Sequence, residues 1–184
     1  METDGGIGDV MFTSEQIAAR IAELGAELTE QYAGRRPLLV CVLKGAYVFA
    51  TDLARCIDLP IEMDFIALSS YGNSTQTSGV VRLVKDLDQD IAGRDVILIE
   101  DIIDSGLTLK YLRRNMGVRN PGSLAVCALL ARNRSDLAAL KVDYCGFRIP
   151  DDFVIGYGLD VDQRYRNLDF LACYQPETDP YRAP

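Results

Sequence analysis

The run Val96-Ile-Leu-Ile-Glu-Asp-Ile-Ile-Asp-Ser-Gly-Leu-Thr-Leu109 decides the fold class of this chain. Its first four residues are apolar without alternation, the pattern of a short strand buried on both faces of a parallel sheet. Glu100 and Asp101 follow where that strand ends, and in an open parallel sheet ligands bind at the carboxyl ends of the strands. Asp104, Ser105, Gly106 and Thr108 come next, and residues 107–116 have a helical pattern. Ser105 and Thr108 supply hydroxyls, and Gly106 lets the backbone approach a ligand closely. Free N–H groups at a helix start favour an anion such as a phosphate. One turn therefore offers an acidic pair, suited to diol hydroxyls or magnesium, beside a cradle for a phosphate. A strand ending in carboxylates before a helix is also a common capping arrangement, so the neighbouring segments have to be weighed with it.

Outward from that run, strands and helices alternate. Thr13 and Gln16 have capping-box spacing, Phe12 and Ile17 suit a hydrophobic staple, and Ile17, Ile21, Leu24 and Leu28 form one apolar helix face. Leu38-Leu-Val-Cys-Val-Leu43 reads as another doubly buried strand, broken by Lys44-Gly45, and residues 46–55 read as a helix. Further strands are expected over residues 61–70, 80–84, 95–100 and 123–130, with short ones at 152–157 and 168–174. Residues 71–79 are polar and aperiodic, the composition of a loop. The pattern predicts one α/β domain over residues 13–184, with a mostly parallel sheet and a small C-terminal appendage. Residues 1–12 read as a loose tail without the basic and apolar regions of a signal peptide.

Composition narrows the chemistry. The 184 residues are 48% hydrophobic and 25% charged, an ordinary globular balance with no run approaching a membrane span. A net charge of −8 argues against charge-driven nucleic-acid binding, though a small phosphate site needs only local donors. The five cysteines are scattered without C-x-x-C spacing and read as reduced thiols in a cytosolic protein. There is no histidine, so proton transfer falls to Asp or Glu, and any metal to oxygen ligands, which favours magnesium.

Taken together, these segments resemble the type I phosphoribosyltransferases, in their hypoxanthine-guanine branch of bacterial type. The resemblance implies a central mostly parallel sheet flanked by helices, with a small hood built from N-terminal and C-terminal segments. It implies that Glu100, Asp101, Asp104, Ser105, Gly106, Leu107 and Thr108 hold the phosphoribosyl group, with Asp104 as the general base. Lys44, Gly45, Ser70, Tyr71 and Arg166 are implied to meet pyrophosphate, with a cis peptide before Lys44 and a loop from Ser69-Ser70-Tyr71-Gly72 closing over the site. Purine contacts are implied for Ile102, Arg132, Phe153, Val154 and Asp160, and magnesium ligation for Glu100, Asp101 and Asp160. The implied reaction moves ribose 5-phosphate from phosphoribosyl pyrophosphate to N9 of hypoxanthine or guanine, in a cytoplasmic homo-oligomer (dimer or tetramer) without nucleic-acid or membrane partners. One residue departs from the pattern. Arg132 stands where the family usually has a lysine that donates to the purine O6, and arginine's longer fork leaves the choice among hypoxanthine, guanine and xanthine open.

Overall fold

A computed structural model describes residues 5–70, 81–134 and 140–181. Three strands are too apolar to face water on either side: β2 (Leu38–Leu43), β5 (Asp95–Ile103) and β6 (Ser123–Arg132). Because side chains alternate along a strand, each sends one set to each face. Leu38, Val40, Val96, Leu98, Val126 and Ala128 pack with Leu109, Leu112 and Met116 of α3 (Leu107–Gly117). Leu39, Cys41, Ile97, Ile99, Cys127 and Leu129 pack on the other face. There they meet Ile17, Ile21, Leu24 and Leu28 of α1 (Ser14–Gln31), with Phe49, Ala50 and Leu53 of α2 (Tyr47–Cys56). Helices on both faces are what a doubly buried parallel sheet requires.

The main sheet has the order β4-β3-β2-β5-β6-β7, where β3 is Glu62–Ser70, β4 is Val81–Lys85 and β7 is Tyr144–Ile149. All its pairings are parallel except that of β3 with the edge strand β4. The α/β class and the mostly parallel central sheet expected from sequence are borne out. The capping box is present: the Thr13 N–H donates to Gln16 Oε1 (2.9 Å) and the Gln16 N–H to Thr13 Oγ1 (3.3 Å). Among the described residues, no helix is long and apolar enough to cross a membrane.

Two expectations need correction. Residues 7–12 are not part of a loose tail: β1 (Ile7–Phe12) pairs antiparallel with β9 (Leu171–Tyr174), which in turn pairs with β8 (Val154–Ile155). The Phe12 ring stacks on Phe147, centroids 4.0 Å apart, and the Tyr165 hydroxyl donates to the Gly5 carbonyl at 2.9 Å. The Gly- and Asp-rich composition hid a strand whose partner lies some 160 residues downstream. The second correction concerns β5, which runs on through Ile103 and so carries Glu100 and Asp101 inside the strand.

A docked β1 has a measurable cost when its anchor is removed. Phe12→Ala is expected to lower the unfolding free energy by about 1–2 kcal/mol in urea titrations, from lost stacking and burial. A loose tail would give a change near zero.

Candidate active site

The site opens where two neighbouring strands part. Pairing of β2 with β5 stops at Cys41 opposite Ile99, whereas β5 stays paired with β6 as far as Ile103 opposite Ala131. Past Leu43 the chain leaves the sheet through a cis peptide to Lys44, the geometry the resemblance implied. The gap is a cavity of about 720 Å³. Of the residues singled out from sequence, Lys44, Gly45, Glu100, Asp101, Ile102, Asp104, Ser105, Gly106, Thr108, Asp160 and Arg166 line it. Leu107, Arg132, Phe153 and Val154 are not in that lining. Tyr71 lies outside the described residues, as does the side chain of Ser70.

Two carboxylates sit at the cavity floor. Glu100 is only 4% exposed, and among the described residues its Oε1 has no hydrogen-bond partner. Burial pushes its carboxyl well above the ordinary range, and neighbouring Asp101 adds to the shift. Burial likewise raises Asp101 to about 6, opposed by the Ile102 N–H, which donates to Asp101 Oδ1 at 2.8 Å, and by the Arg166 guanidinium. Position 45 must be glycine for this arrangement. A Cβ there would lie 1.5 Å from Asp101 Oδ2, so the Lys44 turn can close against the carboxylate only without a side chain.

The start of α3 also lines the cavity. Gly106 caps α3 in the left-handed region (φ 72°, ψ 1°), which glycine enters without strain. No side chain caps the helix, and its first turn carries no acidic residue, so its N–H groups face the cavity edge with the dipole favouring an anion. The Leu107 N–H reaches Ser105 Oγ only at 3.4 Å.

Two cations, Lys44 and Arg166, line the cavity as well. Arg166 donates from NH2 to Asp160 Oδ1 (2.6 Å) and from NH1 to the Gly158 carbonyl (2.7 Å). Lys44 Nζ donates to Gln163 Oε1 at 3.1 Å. Sequence reading missed Gln163, which sits in an irregular stretch with no period to mark it.

Arg132 reaches the site indirectly. Its Nε donates to Asp104 Oδ1 at 3.1 Å, while NH1 donates to the carbonyls of Pro150 (2.8 Å) and Asp152. Asp104 itself is well exposed, with 59% of its side chain accessible, whereas Arg132 is buried. Phe153 is 54% exposed and tilts against Tyr174, and Val154 is buried in β8. The arginine thus ties the Asp104 carboxylate to the segment that leads into Phe153.

Comparison with known proteins gives one consistent answer. A family model described as the phosphoribosyl transferase domain matches residues 11–163. The hypoxanthine-guanine phosphoribosyltransferase of Mycobacterium avium is 53% identical over 178 residues, covering 94% of this chain and 88% of that protein. That of Bacillus subtilis is 48% identical over 170 residues, covering 92% and 94%. Among solved structures, a hypoxanthine-guanine phosphoribosyltransferase of Bacillus anthracis superposes with a TM-score of 0.85 at 43% identity, covering 91% of this chain and 98% of that one. The hypoxanthine phosphoribosyltransferase of Trypanosoma cruzi gives 0.87 at 38% identity, covering 94% and 93%.

The raised carboxyl of Asp101 sets a pH-dependent stability. Below about pH 4 it is protonated in both folded and unfolded chains and has no effect. Between there and about 6 the unfolded chain loses its proton first, so this group's contribution to stability falls as pH rises. Asp101→Asn removes that burden. Without metal or substrate, the variant is expected to gain about 2 kcal/mol on wild type between pH 4.5 and 7.5, read from unfolding curves at both values. A difference that does not vary with pH would contradict the shift.

Proposed function

Because this chain belongs to the phosphoribosyltransferase family, we propose that it transfers ribose 5-phosphate from phosphoribosyl pyrophosphate to N9 of hypoxanthine or guanine. The products are IMP or GMP and pyrophosphate, a purine-salvage reaction. The observation that carries this reading is the single cavity in which an acidic pair, an uncapped helix start and two cations meet. Those three features match the diol, the 5-phosphate and the leaving group of the donor.

In the reaction, positive charge grows on the ribose ring as its bond to pyrophosphate weakens. Lys44 and Arg166 compensate the departing negative charge. Glu100 and Asp101 orient the ribose hydroxyls, and Ser105 to Thr108 with the α3 N–H groups hold the 5-phosphate. Asp104 accepts the N7 proton of the purine, which makes N9 more nucleophilic. Phe153 stacks on the base, the Val154 backbone reads its edge, and Ile102 and Asp160 border it. Arg132 holds Asp104 in place and directs its remaining donor capacity toward O6. Closure by Ser70 and Tyr71 over the pyrophosphate belongs to the same proposal.

The donor set suits magnesium. Glu100 Oε1 is buried and unpartnered, and Glu100, Asp101 and Asp160 are hard oxygen ligands. Among the described residues, no three acidic or cysteine side chains converge tightly enough to hold a metal. Substrate oxygens and water would therefore complete the coordination, and magnesium bound there would neutralise charge on the pyrophosphate. A cytoplasmic location fits five unpaired cysteines. A homo-oligomer of two or four copies is part of the reading, supported by the Trypanosoma cruzi relative, whose C-terminal region has a role in oligomeric state and activity. The partners proposed are small molecules, with neither nucleic acid nor membrane.

The primary test is incubation with phosphoribosyl pyrophosphate, magnesium and each purine; nucleotide is expected from hypoxanthine and guanine, and none from any base would end the proposal. Asp104→Asn should lower kcat by ~10²–10⁴ while leaving donor binding largely intact. Wild-type turnover would remove Asp104 as the base. Arg132→Lys cannot hold Asp104 and both carbonyls together, so kcat/KM should fall for every base and the ratios among hypoxanthine, guanine and xanthine should shift. Unchanged ratios would separate Arg132 from O6.

A further inference from the structure

We propose that Gln163 sets the affinity of the pyrophosphate pocket by holding its side-chain oxygen where an anion oxygen binds, so that diphosphate must displace it. This rests on the reading that Lys44 and Arg166 receive pyrophosphate. Gln163 Oε1 accepts from Lys44 Nζ at 3.1 Å and from Arg166 NH2 at 3.3 Å. Both partners are donors only, so the atom between them must be the amide oxygen. One neutral oxygen therefore aims two cations from distant parts of the chain at a common point.

The backbone delivers that oxygen at some strain. Val161 and Arg164 bond to each other across a tight turn, with N–H to carbonyl distances of 3.3 and 2.9 Å. Its two central residues, Asp162 (φ 50°) and Gln163 (φ 65°), both lie in the left-handed region. A turn of that type favours Asn and Gly at its centre, and glutamine has no intrinsic preference for it. The Gln163 N–H donates to Asp160 Oδ2 (2.8 Å), and Asp160 is paired with Arg166, so the turn and the cation are fixed to one carboxylate. A strained position held this firmly, with its side chain lining the cavity, points to a role in that cavity.

The chemistry explains why an amide suits the place. A carboxylate at this point would neutralise the two cations and compete with the leaving group charge for charge. An amide oxygen satisfies donors without cancelling their charge, so the pocket keeps its attraction for a dianion. When pyrophosphate departs, the amide can return to the same two donors, which favours release.

Titration calorimetry with inorganic pyrophosphate and magnesium tests the idea on wild type, Gln163→Glu, Gln163→Met and Lys44→Ala. Gln163→Glu should weaken pyrophosphate about tenfold or more and raise KM for the donor rather than for the purine. Gln163→Met, similar in length but lacking the amide, should bind pyrophosphate several-fold more tightly, since no oxygen has to be displaced. Equal or weaker binding by Gln163→Met, or unchanged binding by Gln163→Glu, would overturn the inference while loss of binding in Lys44→Ala keeps the pocket reading. A Lys44→Ala protein that binds pyrophosphate as wild type does would remove the pocket reading and this inference with it.

Discussion

The close approach of the Lys44 turn to Asp101 is the constraint on which the site depends. Parallel strands β2 and β5 run in register to Cys41 and Ile99 and then separate, because one chain turns away while the other stays paired on its far side. Only a glycine at position 45 lets the turn lie against the carboxylate. The cavity, the cation at its rim and the acids at its floor all follow from that single divergence. The apolar faces of the two strands make it rigid, since neither can shift without moving a core residue.

Electrostatically, the site is divided within itself. Glu100 is buried and Asp101 partly so, and both carry a desolvation cost, while Lys44 and Arg166 line the same cavity. An arrangement of this kind is complete only with a ligand that donates hydrogen bonds or brings a cation to the acids and is anionic toward the cations. A phosphorylated sugar with a diphosphate leaving group has that polarity, and the folded chain alone does not satisfy it. The unpartnered oxygen of Glu100 is the clearest sign that the protein's own hydrogen bonds stop short here.

The parts legible in the sequence are those governed by local pattern. The continuous apolar runs at 38–43 and 96–99 announced doubly buried strands, and Thr13 with Gln16 announced the start of α1. The acidic turn was legible because its residues are adjacent in the chain. β1 was not, since its hydrogen bonds go to β9 at the other end and its own residues are barely amphipathic. Arg132 could be recognised as a departure, but its ties to the carbonyls of Pro150 and Asp152 depend on a chain reversal that no periodicity records. Gln163 was overlooked for the same reason, its importance coming from two partners, one of them 119 residues away.

The second sheet has a consequence for biosynthesis. β8 is held by β9, and β9 by β1, so the segment leading to Val154 gains its support only once residue 174 is available. The strands of the main sheet end at Ile149. On a ribosome, the acidic turn at residues 100–108 can therefore settle into a finished sheet while β1 still waits for its partner. The acidic turn would thus be in place before the later segment that carries Phe153, Asp160 and Arg166 is anchored by β9.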